Sequence, residues 1–306
     1  MNTDRRAFLA LLASGTALAQ LPPAVMPPPA KAKITSSVML WTLSGTFEER
    51  VRTAADAGMQ TVELQDEYSN WDDAQLKRAK RLVGSFGMNI QTLSATPNWQ
   101  TRPVSLMDTA HREGFFSDLR KALSIARRLE TPYLLLTSGN ALSATSREEQ
   151  YANLLEISKQ ASALAAAADI TLLARPLNNK VDYKNVYLAT SAEALKLVKD
   201  VDNPHLRLVF SVYDEQVQTG TALPALRDAL EYTEVIHIAE APDRAEPGNP
   251  SQEIYRALQK SNYAHTIGME YKPKGKAVAS LKRITDQFRA AVNERATPVP
   301  TETPLV

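Results

Sequence analysis

The sequence predicts an α/β protein with the (βα)8 architecture of a TIM barrel, and three observations lead to this prediction. Between residues 34 and 295, strand-like runs rich in apolar and β-branched residues alternate eight times with segments of helical periodicity. The strand-like runs are nearly continuous in apolar character, which is typical of parallel strands covered by helices. Eight such units favour closure into a barrel, and no long insertion or composition shift indicates a second domain.

The eight predicted strands are spaced so that one helix fits between each pair. In chain order they are 34–41 (ITSSVMLW), 61–67 (TVELQDE), 89–96 (NIQTLSAT), 133–139 (YLLLTSG), 170–177 (ITLLARPL), 206–213 (LRLVFSVY), 234–241 (EVIHIAEA) and 266–272 (TIGMEYK).

The segments between the strands repeat apolar residues at the three- and four-residue spacing of one helix face. Gly58 and Gly87 stand just before the second and third strands, where a residue in the left-handed conformation would end the preceding helix. The apolar stripes are Phe47, Val51, Ala54 and Gly58 in the first helix, Leu154, Ile157, Ala161 and Leu164 in the fourth, and Val278, Leu281, Ile284, Phe288 and Val292 in the last.

Residues 1–19 predict a cleavable export signal that is not part of the fold. TDRRAFL (3–9) resembles a twin-arginine motif, and Ala17-Leu18-Ala19 has the small-x-small pattern of a cleavage site. The apolar run between them has about 13 residues, fewer than the roughly 20 that span a bilayer. A chance arginine pair and an uncleaved anchor are the alternatives. The signal predicts a periplasmic protein, with no other membrane association.

Proline-rich residues 20–33 predict a stiff spacer before the barrel, and residues 296–306 predict a disordered tail. The formal net charge of +1 offers no electrostatic reason for a nucleic-acid partner. The absence of cysteine excludes disulfides, thiolate catalysis and cysteine-ligated zinc. The partner expected is therefore a small molecule, and nothing in the sequence specifies an oligomeric state.

Polar residues collect at the predicted C-terminal ends of the strands, where (βα)8 barrels place their active sites. Individually, each is also consistent with a solvated loop position or with a local hydrogen bond. They are Glu63, Glu67, Ser94, Thr96, Ser138, Asn140, Arg175, Asn178, Ser211, Asp214, Glu215, His237, Glu240, Glu270 and Lys272.

Seven strings at these strand ends carry a family resemblance. In order, and at barrel spacing, they resemble the xylose-isomerase-like barrels, and hydroxypyruvate isomerase above all. The resemblance covers about residues 34–290. The strings are LQDEYSNW (64–71), SATPNW (94–99), LLARPLN (172–178), LVFSVYDEQ (208–216), VIHIAEAPDR (235–244), PDRAEPG (242–248) and IGMEYKPKG (267–275).

The resemblance implies a divalent cation held by two glutamates, an aspartate and a glutamine or histidine, and isomerisation of a hydroxy-carbonyl compound. Glu270 matches one glutamate and is a candidate catalytic residue and metal ligand. His237 matches the glutamine or histidine. The candidates for substrate binding are Trp41, Trp99, Asn178, Arg244, Glu246 and Lys272. For the tryptophans, ordinary core filling is the alternative.

Two positions depart from the family pattern, because Arg175 stands at the other glutamate and Ser211 at the aspartate. The charges of Arg175 and Glu270 cancel without a cation, and a guanidinium can pair with a carboxylate directly. The sequence therefore predicts an Arg175–Glu270 ion pair in the place of the metal, with Arg175 as a second catalytic candidate. The alternative is a rearranged Mg²⁺ or Mn²⁺ site made of Asp214, His237 and Glu270, assisted by Glu215 or Glu240. The cofactor is thus either absent or a divalent metal.

Two main functions follow from these observations. The first is an exported isomerase or epimerase that acts on a small hydroxy-carbonyl or sugar-derived compound through a divergent site. The second is a non-catalytic descendant that binds a sugar or sugar acid in the old pocket, with Arg175 as an anion anchor. A lyase or hydrolase is a third and weaker option, since the fold alone does not decide function. A related barrel endonuclease is disfavoured, because three metals would need more histidine and carboxylate ligands.

Overall fold

The barrel lies within residues 34–102, 104–261 and 263–293, which are the residues described by the structure, a computed structural model. The predicted export signal (1–19), the spacer (20–33) and the tail (296–306) lie outside the described residues. One helix in the described part, Arg147–Ala167, has more than 20 residues, but no helix there is both long and apolar enough to cross a membrane.

Eight parallel strands close into a barrel in sequence order, as the alternating pattern predicts. The closing pair is β1 with β8, where Thr35 lies opposite Thr266 and Val38 opposite Met269. The strands are shorter than predicted, because the hydrogen-bond ladder ends two to four residues before the end of each predicted run. They are β1 (Thr35–Met39), β2 (Thr61–Glu63), β3 (Asn89–Ser94), β4 (Tyr133–Leu136), β5 (Thr171–Ala174), β6 (Leu206–Ser211), β7 (Thr233–Ile238) and β8 (Thr266–Met269).

Helices follow each strand, and two short helices follow β6. Thr46, Asp72 and Thr190 begin three of them with reciprocal capping boxes, in which the cap residue and the residue three positions later bond each other's backbone. Gly58 and Gly87 have φ angles of +74° and +70°, which confirms the left-handed helix ends. The helices are α1 (Phe47–Asp56), α2 (Asp73–Ser85), α3 (Arg112–Leu129), α4 (Arg147–Ala167), α5 (Ser191–Val201), α6 (Val212–Thr219), α7 (Leu223–Ala229), α8 (Asn249–Gln259) and α9 (Ala277–Asn293).

The strands separate two layers of apolar side chains. Alternate residues of each strand point to opposite faces, so Leu134 and Leu136 of β4 pack under the helices while Leu135 points into the barrel. Inside the barrel, Leu135 forms a buried cluster with Met39, Leu173, Val209 and Val235. Because apolar residues fill the interior, the polar residues are confined to the end of the barrel where the strands finish.

Candidate active site at the mouth of the barrel

The C-terminal ends of β5 to β8 bring together the four residues whose positions resemble a metal site. Arg175 directly follows β5, Ser211 ends β6, His237 lies in β7, and Glu270 directly follows β8. All four are buried, and His237 and Glu270 have no exposed surface. Parallel strands of a barrel end at one face, which is why residues far apart in sequence meet here.

Glu270 is the centre of this group and contacts two guanidinium groups. Arg175 donates a hydrogen bond from Nη2 to Oε1 of Glu270, so the predicted contact between these two residues is present. Arg244 approaches the other oxygen, with 3.0 Å between Nη1 and Oε2. Burial opposes ionisation of this carboxyl, but Arg175 and Arg244 outweigh it and lower the pKa of Glu270 to about 2. Glu270 is therefore charged at neutral pH and is a weak base.

Arg244 reaches the mouth from the loop between β7 and α8. Its φ of +54° is unusual for a long side chain, and the preceding residue is left-handed as well. The backbone N–H of Lys272 donates to the carbonyl of Arg244 over 2.9 Å and fixes the loop against the end of β8. The guanidinium lies 4.2 Å from the ring centroid of Tyr213 and 5.6 Å from that of Trp41. Two rings and a backbone bond therefore hold Arg244 over Glu270.

Asp214 and Asn178 lie beside this group, and their polar atoms bond to each other and to nearby groups of the protein. Asp214 accepts from the backbone N–H of Asn178 over 3.0 Å, from the side-chain amide over 2.7 Å and from Ser211 Oγ over 2.7 Å. The amide oxygen of Asn178 accepts from the backbone N–H groups of Val181 and Asp182. Ser211 also caps α6, since its Oγ accepts from the N–H of Asp214. A local structural role thus accounts for the serine at this position.

His237 is held from below by Glu63, a residue that the sequence placed among the polar strand ends but not in the site. Nε2 of His237 lies 2.9 Å from Oε2 of Glu63, and Thr92 donates to the same oxygen over 3.0 Å. Nδ1 of His237 faces Glu270 Oε2 at 3.6 Å, which is too long for a hydrogen bond. No pattern in the sequence distinguishes Glu63, since the predicted strand 61–67 also carries Asp66 and Glu67.

The divalent cation implied by the resemblance does not fit these side chains. Mg²⁺ and Mn²⁺ need several hard oxygen donors with free lone pairs. Both oxygens of Glu270 face guanidinium groups, and those of Asp214 accept from an amide, a backbone N–H and a hydroxyl. Within the described ranges, no three His, Asp or Glu side chains are arranged to hold a metal ion. Asp214, His237 and Glu270 are therefore not brought together as a ligand set.

The two carboxylates suggested as assisting ligands serve helix ends instead. Glu215 accepts from the backbone N–H of Ser191 over 2.8 Å, at the beginning of α5. Glu240 accepts from the backbone N–H groups of Gly248 and Ser251 over 2.7 and 2.8 Å, at the beginning of α8. Carboxylates at helix N-termini stabilise the unpaired N–H groups there.

A cleft of about 490 Å³ opens at the mouth, beside the buried charged group. Trp41 joins the two, because its ring lines the cleft and also faces Arg244. Trp99 is buried behind the cleft, with its ring 5.7 Å from that of Tyr183. The cleft is lined by Trp41, Gln65, Asp66, Glu67, Gln100 and Tyr183.

Asp66 and Glu67 are half-buried in the cleft wall, and burial raises the pKa of both carboxyl groups above their ordinary values. Oδ1 of Asp66 and Oε1 of Glu67 have no hydrogen-bond partner among the described residues, and neither has Nε1 of Trp41. In native proteins, buried polar atoms without partners are explained by a bound water or ion, by local strain or by a functional role. Sequence analysis missed Asp66 because an acidic residue after a strand is usually solvated.

Two candidates for substrate binding make contacts elsewhere. Lys272 is exposed, and its described bond is the backbone bond to Arg244. Glu246 accepts from the backbone N–H of Lys274 and the hydroxyl of Ser280, each over 2.7 Å, and from Arg283 over 2.7 Å. Glu246 therefore ties the β7–α8 loop to the beginning of α9. Their roles in substrate binding stay predictions.

Comparison with known proteins places this site in a family context. A family model described as xylose isomerase-like TIM barrel matches residues 51–287. The chain is 27% identical to the putative hydroxypyruvate isomerase of Danio rerio, covering 82% of this chain and 93% of that relative. It is 27% identical to the hydroxypyruvate isomerase of Escherichia coli, covering 79% of this chain and 94% of that relative. The 2-oxo-tetronate isomerase of Pectobacterium atrosepticum is 26% identical, over 77% of this chain and 90% of that relative.

Solved structures share the fold. An AP endonuclease of family 2 from Brucella melitensis superposes with a TM-score of 0.74 at 23% identity, covering 83% of this chain and 98% of that one. A D-psicose 3-epimerase from Clostridium cellulolyticum superposes with a TM-score of 0.71 at 14% identity, covering 85% and 99%. Identities this low show a common barrel and leave the activity to the site residues.

Proposed function

Because the chain belongs to the xylose isomerase-like TIM barrel family, we propose that it binds a small hydroxy-carbonyl compound of carbohydrate origin and acts on it as an isomerase or epimerase. A sugar-isomerase-like function fits the relatives, which include hydroxypyruvate and 2-oxo-tetronate isomerases. The observation that carries the proposal is the cleft beside the buried Arg175–Glu270–Arg244 group, in which several polar atoms have no partner within the described chain.

Residues of this chain offer the parts that such a reaction needs. The ring faces of Trp41 and Tyr183 suit the C–H faces of a sugar, and Gln65 and Gln100 suit its hydroxyl groups. Arg244 lies 5.6 Å from the ring centroid of Trp41 and supports that ring at the edge of the cleft. Asp66 is the carboxylate best suited to move a proton, since its raised pKa and free oxygen contrast with the paired Glu270.

A second candidate function is binding without turnover. It is favoured by the lowered pKa of Glu270, which makes the one glutamate that matches the family pattern a poor proton acceptor. The two candidates predict the same ligand-binding cleft. They differ in whether a proton next to the carbonyl group of the bound ligand exchanges with solvent.

Tryptophan fluorescence and proton exchange test both candidates. The purified protein is titrated with D-psicose, L-ribulose, hydroxypyruvate and 2-oxo-tetronate, and we expect at least one to change the fluorescence in a saturable way. Trp41→Phe should remove most of this signal, whereas Trp71→Phe should not, because Trp71 packs against Phe47 at 5.0 Å. Incorporation of deuterium from D₂O, followed by NMR, supports the isomerase; saturable binding without incorporation supports the second candidate. No saturable binding by any of the four would contradict both.

Chelation is expected to leave the protein unchanged. The donor atoms of Glu270 and Asp214 already serve arginine, amide and hydroxyl groups, so EDTA should alter neither the Tm nor the ligand affinity. Arg175→Glu combined with Ser211→Asp is the positive control. It supplies two further carboxylates, and calorimetry should then detect Mn²⁺ binding. One tightly bound Mg²⁺, Mn²⁺ or Zn²⁺ per wild-type chain, measured by elemental analysis, would contradict this expectation.

Export by the twin-arginine route, and hence a periplasmic location, is a further part of the proposal. It is supported by the motif at residues 3–9 and the cleavage pattern at residues 17–19. Replacing Arg5 and Arg6 by lysine is expected to leave uncleaved precursor in the cytoplasm, as immunoblots of cell fractions would show. Substituting Lys31 and Lys33 by arginine in the spacer is the matched control and should not affect export. Normal periplasmic accumulation of the Arg5/Arg6 variant would rule out this route.

A further inference from the structure

The charged side chains that line the cleft are both acidic. Asp66 and Glu67 are adjacent in sequence and half-buried, and no lysine or arginine lines the cleft in the described part of the chain. Nη1 of Arg50 lies 3.9 Å from Oε1 of Glu67, which is too long for a hydrogen bond. A carboxylate on a ligand in this cleft would therefore meet two like charges at short distance in partly desolvated surroundings.

The arginines beneath the cleft offset this repulsion only in part, because both already face carboxylates of the protein. Arg175 bonds Glu270, and Arg244 lies 3.0 Å from Glu270 and 3.5 Å from both Asp182 and Asp214. Arg175 is also buried, with 3% of its surface exposed. If Arg175 anchored an anion, as one hypothesis from the sequence has it, its ion pair with Glu270 would have to break. Breaking a buried ion pair of this kind is costly.

Among the side chains that line the cleft, the polar atoms instead match a group that both donates and accepts. Trp41 Nε1 is a donor, whereas Asp66 Oδ1 and Glu67 Oε1 are acceptors. The side-chain amides of Gln65 and Gln100 offer both functions. A hydroxyl group can satisfy either kind of atom, whereas a ligand carboxylate could bond only to the donors.

From this arrangement, and on the basis of the proposed function, we infer that the cleft selects a neutral polyhydroxy ligand, such as a ketose, over the corresponding sugar acid. Asp66 and Glu67 are then the residues that determine specificity. They accept bonds from ligand hydroxyls and repel a ligand carboxylate.

The test uses two ligands that differ at one carbon, D-fructose and D-fructuronate, in which a carboxylate replaces the terminal CH₂OH. Calorimetry on the wild-type protein should give an affinity for D-fructose at least about tenfold above that for D-fructuronate. In the Asp66→Asn/Glu67→Gln variant, this ratio should fall about tenfold, mainly because the acid binds more tightly. Amides keep an acceptor oxygen for hydroxyl groups while removing the charge.

The control variant Glu113→Gln/Glu148→Gln changes the net charge equally at two exposed positions on α3 and α4, and it should leave the ratio unchanged. Tighter binding of D-fructuronate by the wild-type protein would overturn the inference and leave the proposed function standing. A ratio that is the same in the Asp66/Glu67 variant as in the wild type would overturn it as well. If neither ligand, nor any member of the earlier panel, binds to any variant, the proposed function fails together with the inference.

Discussion

Replacing Gly268 by alanine is expected to lower the free energy of unfolding by about 3 kcal/mol, the upper part of the range for overpacking a core. A Cβ atom at this position in β8 would lie 2.3 Å from Oε1 of Glu63 and 2.8 Å from Cδ2 of His237. Both neighbours are fully buried, and Glu63 is also bonded to Thr92, so neither can move without losing a hydrogen bond. Urea denaturation followed by circular dichroism measures the loss.

Gly114→Ala is the matched control, because nothing lies within 4 Å of a Cβ added there. Gly114 is exposed in α3, where alanine should stabilise the helix by about 0.5–1 kcal/mol. If Gly268→Ala is as stable as the wild type, then Glu63 and His237 do not pack tightly against β8. Glu63→Gln distinguishes steric from electrostatic causes of the lost stability. It keeps the volume of the side chain and an oxygen that accepts from Thr92, but it removes the negative charge.

The fold could be predicted from the sequence because its signals are local and repeated eight times. Each β-branched, apolar run precedes a helical stripe, and closure follows from the number of units. The strand ends could not be predicted, since residues such as Arg175 and Lys272 continue an extended pattern after the hydrogen-bond ladder has ended. The second short helix after β6 was missed as well. Gly220, with φ of +91°, ends α6 there, and α7 begins three residues later.

Contacts in the candidate site could be predicted from the sequence only where a change of charge within a motif implies one specific partner. Arg175 and Glu270 stand at the two glutamate positions of the metal site that the resemblance implies, so opposite charges there imply a contact. The contact of Arg244 with Glu270 depends instead on a left-handed loop conformation, which the sequence does not specify. Glu63 and His237 are 174 residues apart, and their contact follows from the barrel radius and the strand register. The burial of Asp66 depends on packing around the cleft and leaves no mark in the sequence.

The buried Arg175–Glu270 pair gives the second large effect. Replacing Arg175 by methionine should lower the free energy of unfolding at neutral pH by about 3 kcal/mol, because Glu270 would stay buried with Arg244 as its remaining cation. Adding Glu270→Gln should recover much of that loss, since a neutral amide needs no counter-charge. A double-mutant cycle from urea denaturation measures the coupling between the two residues. Arg112→Met, which breaks an exposed pair with Glu156, is the control and should have a much smaller effect.

The same pair predicts a pH dependence whose sign follows from the pKa of Glu270. The folded protein holds this pKa at about 2, below the ordinary value of 4.5, because of Arg175 and Arg244. A lowered pKa contributes stability above the unfolded value, and that contribution is lost as the pH falls from 4.5 towards 2. The difference in stability between wild type and Arg175→Met should therefore be constant above pH 5 and narrow steadily on acidification. A difference that stays constant down to pH 3, or a coupling energy near zero, would mean that Arg175 does not stabilise the charge on Glu270.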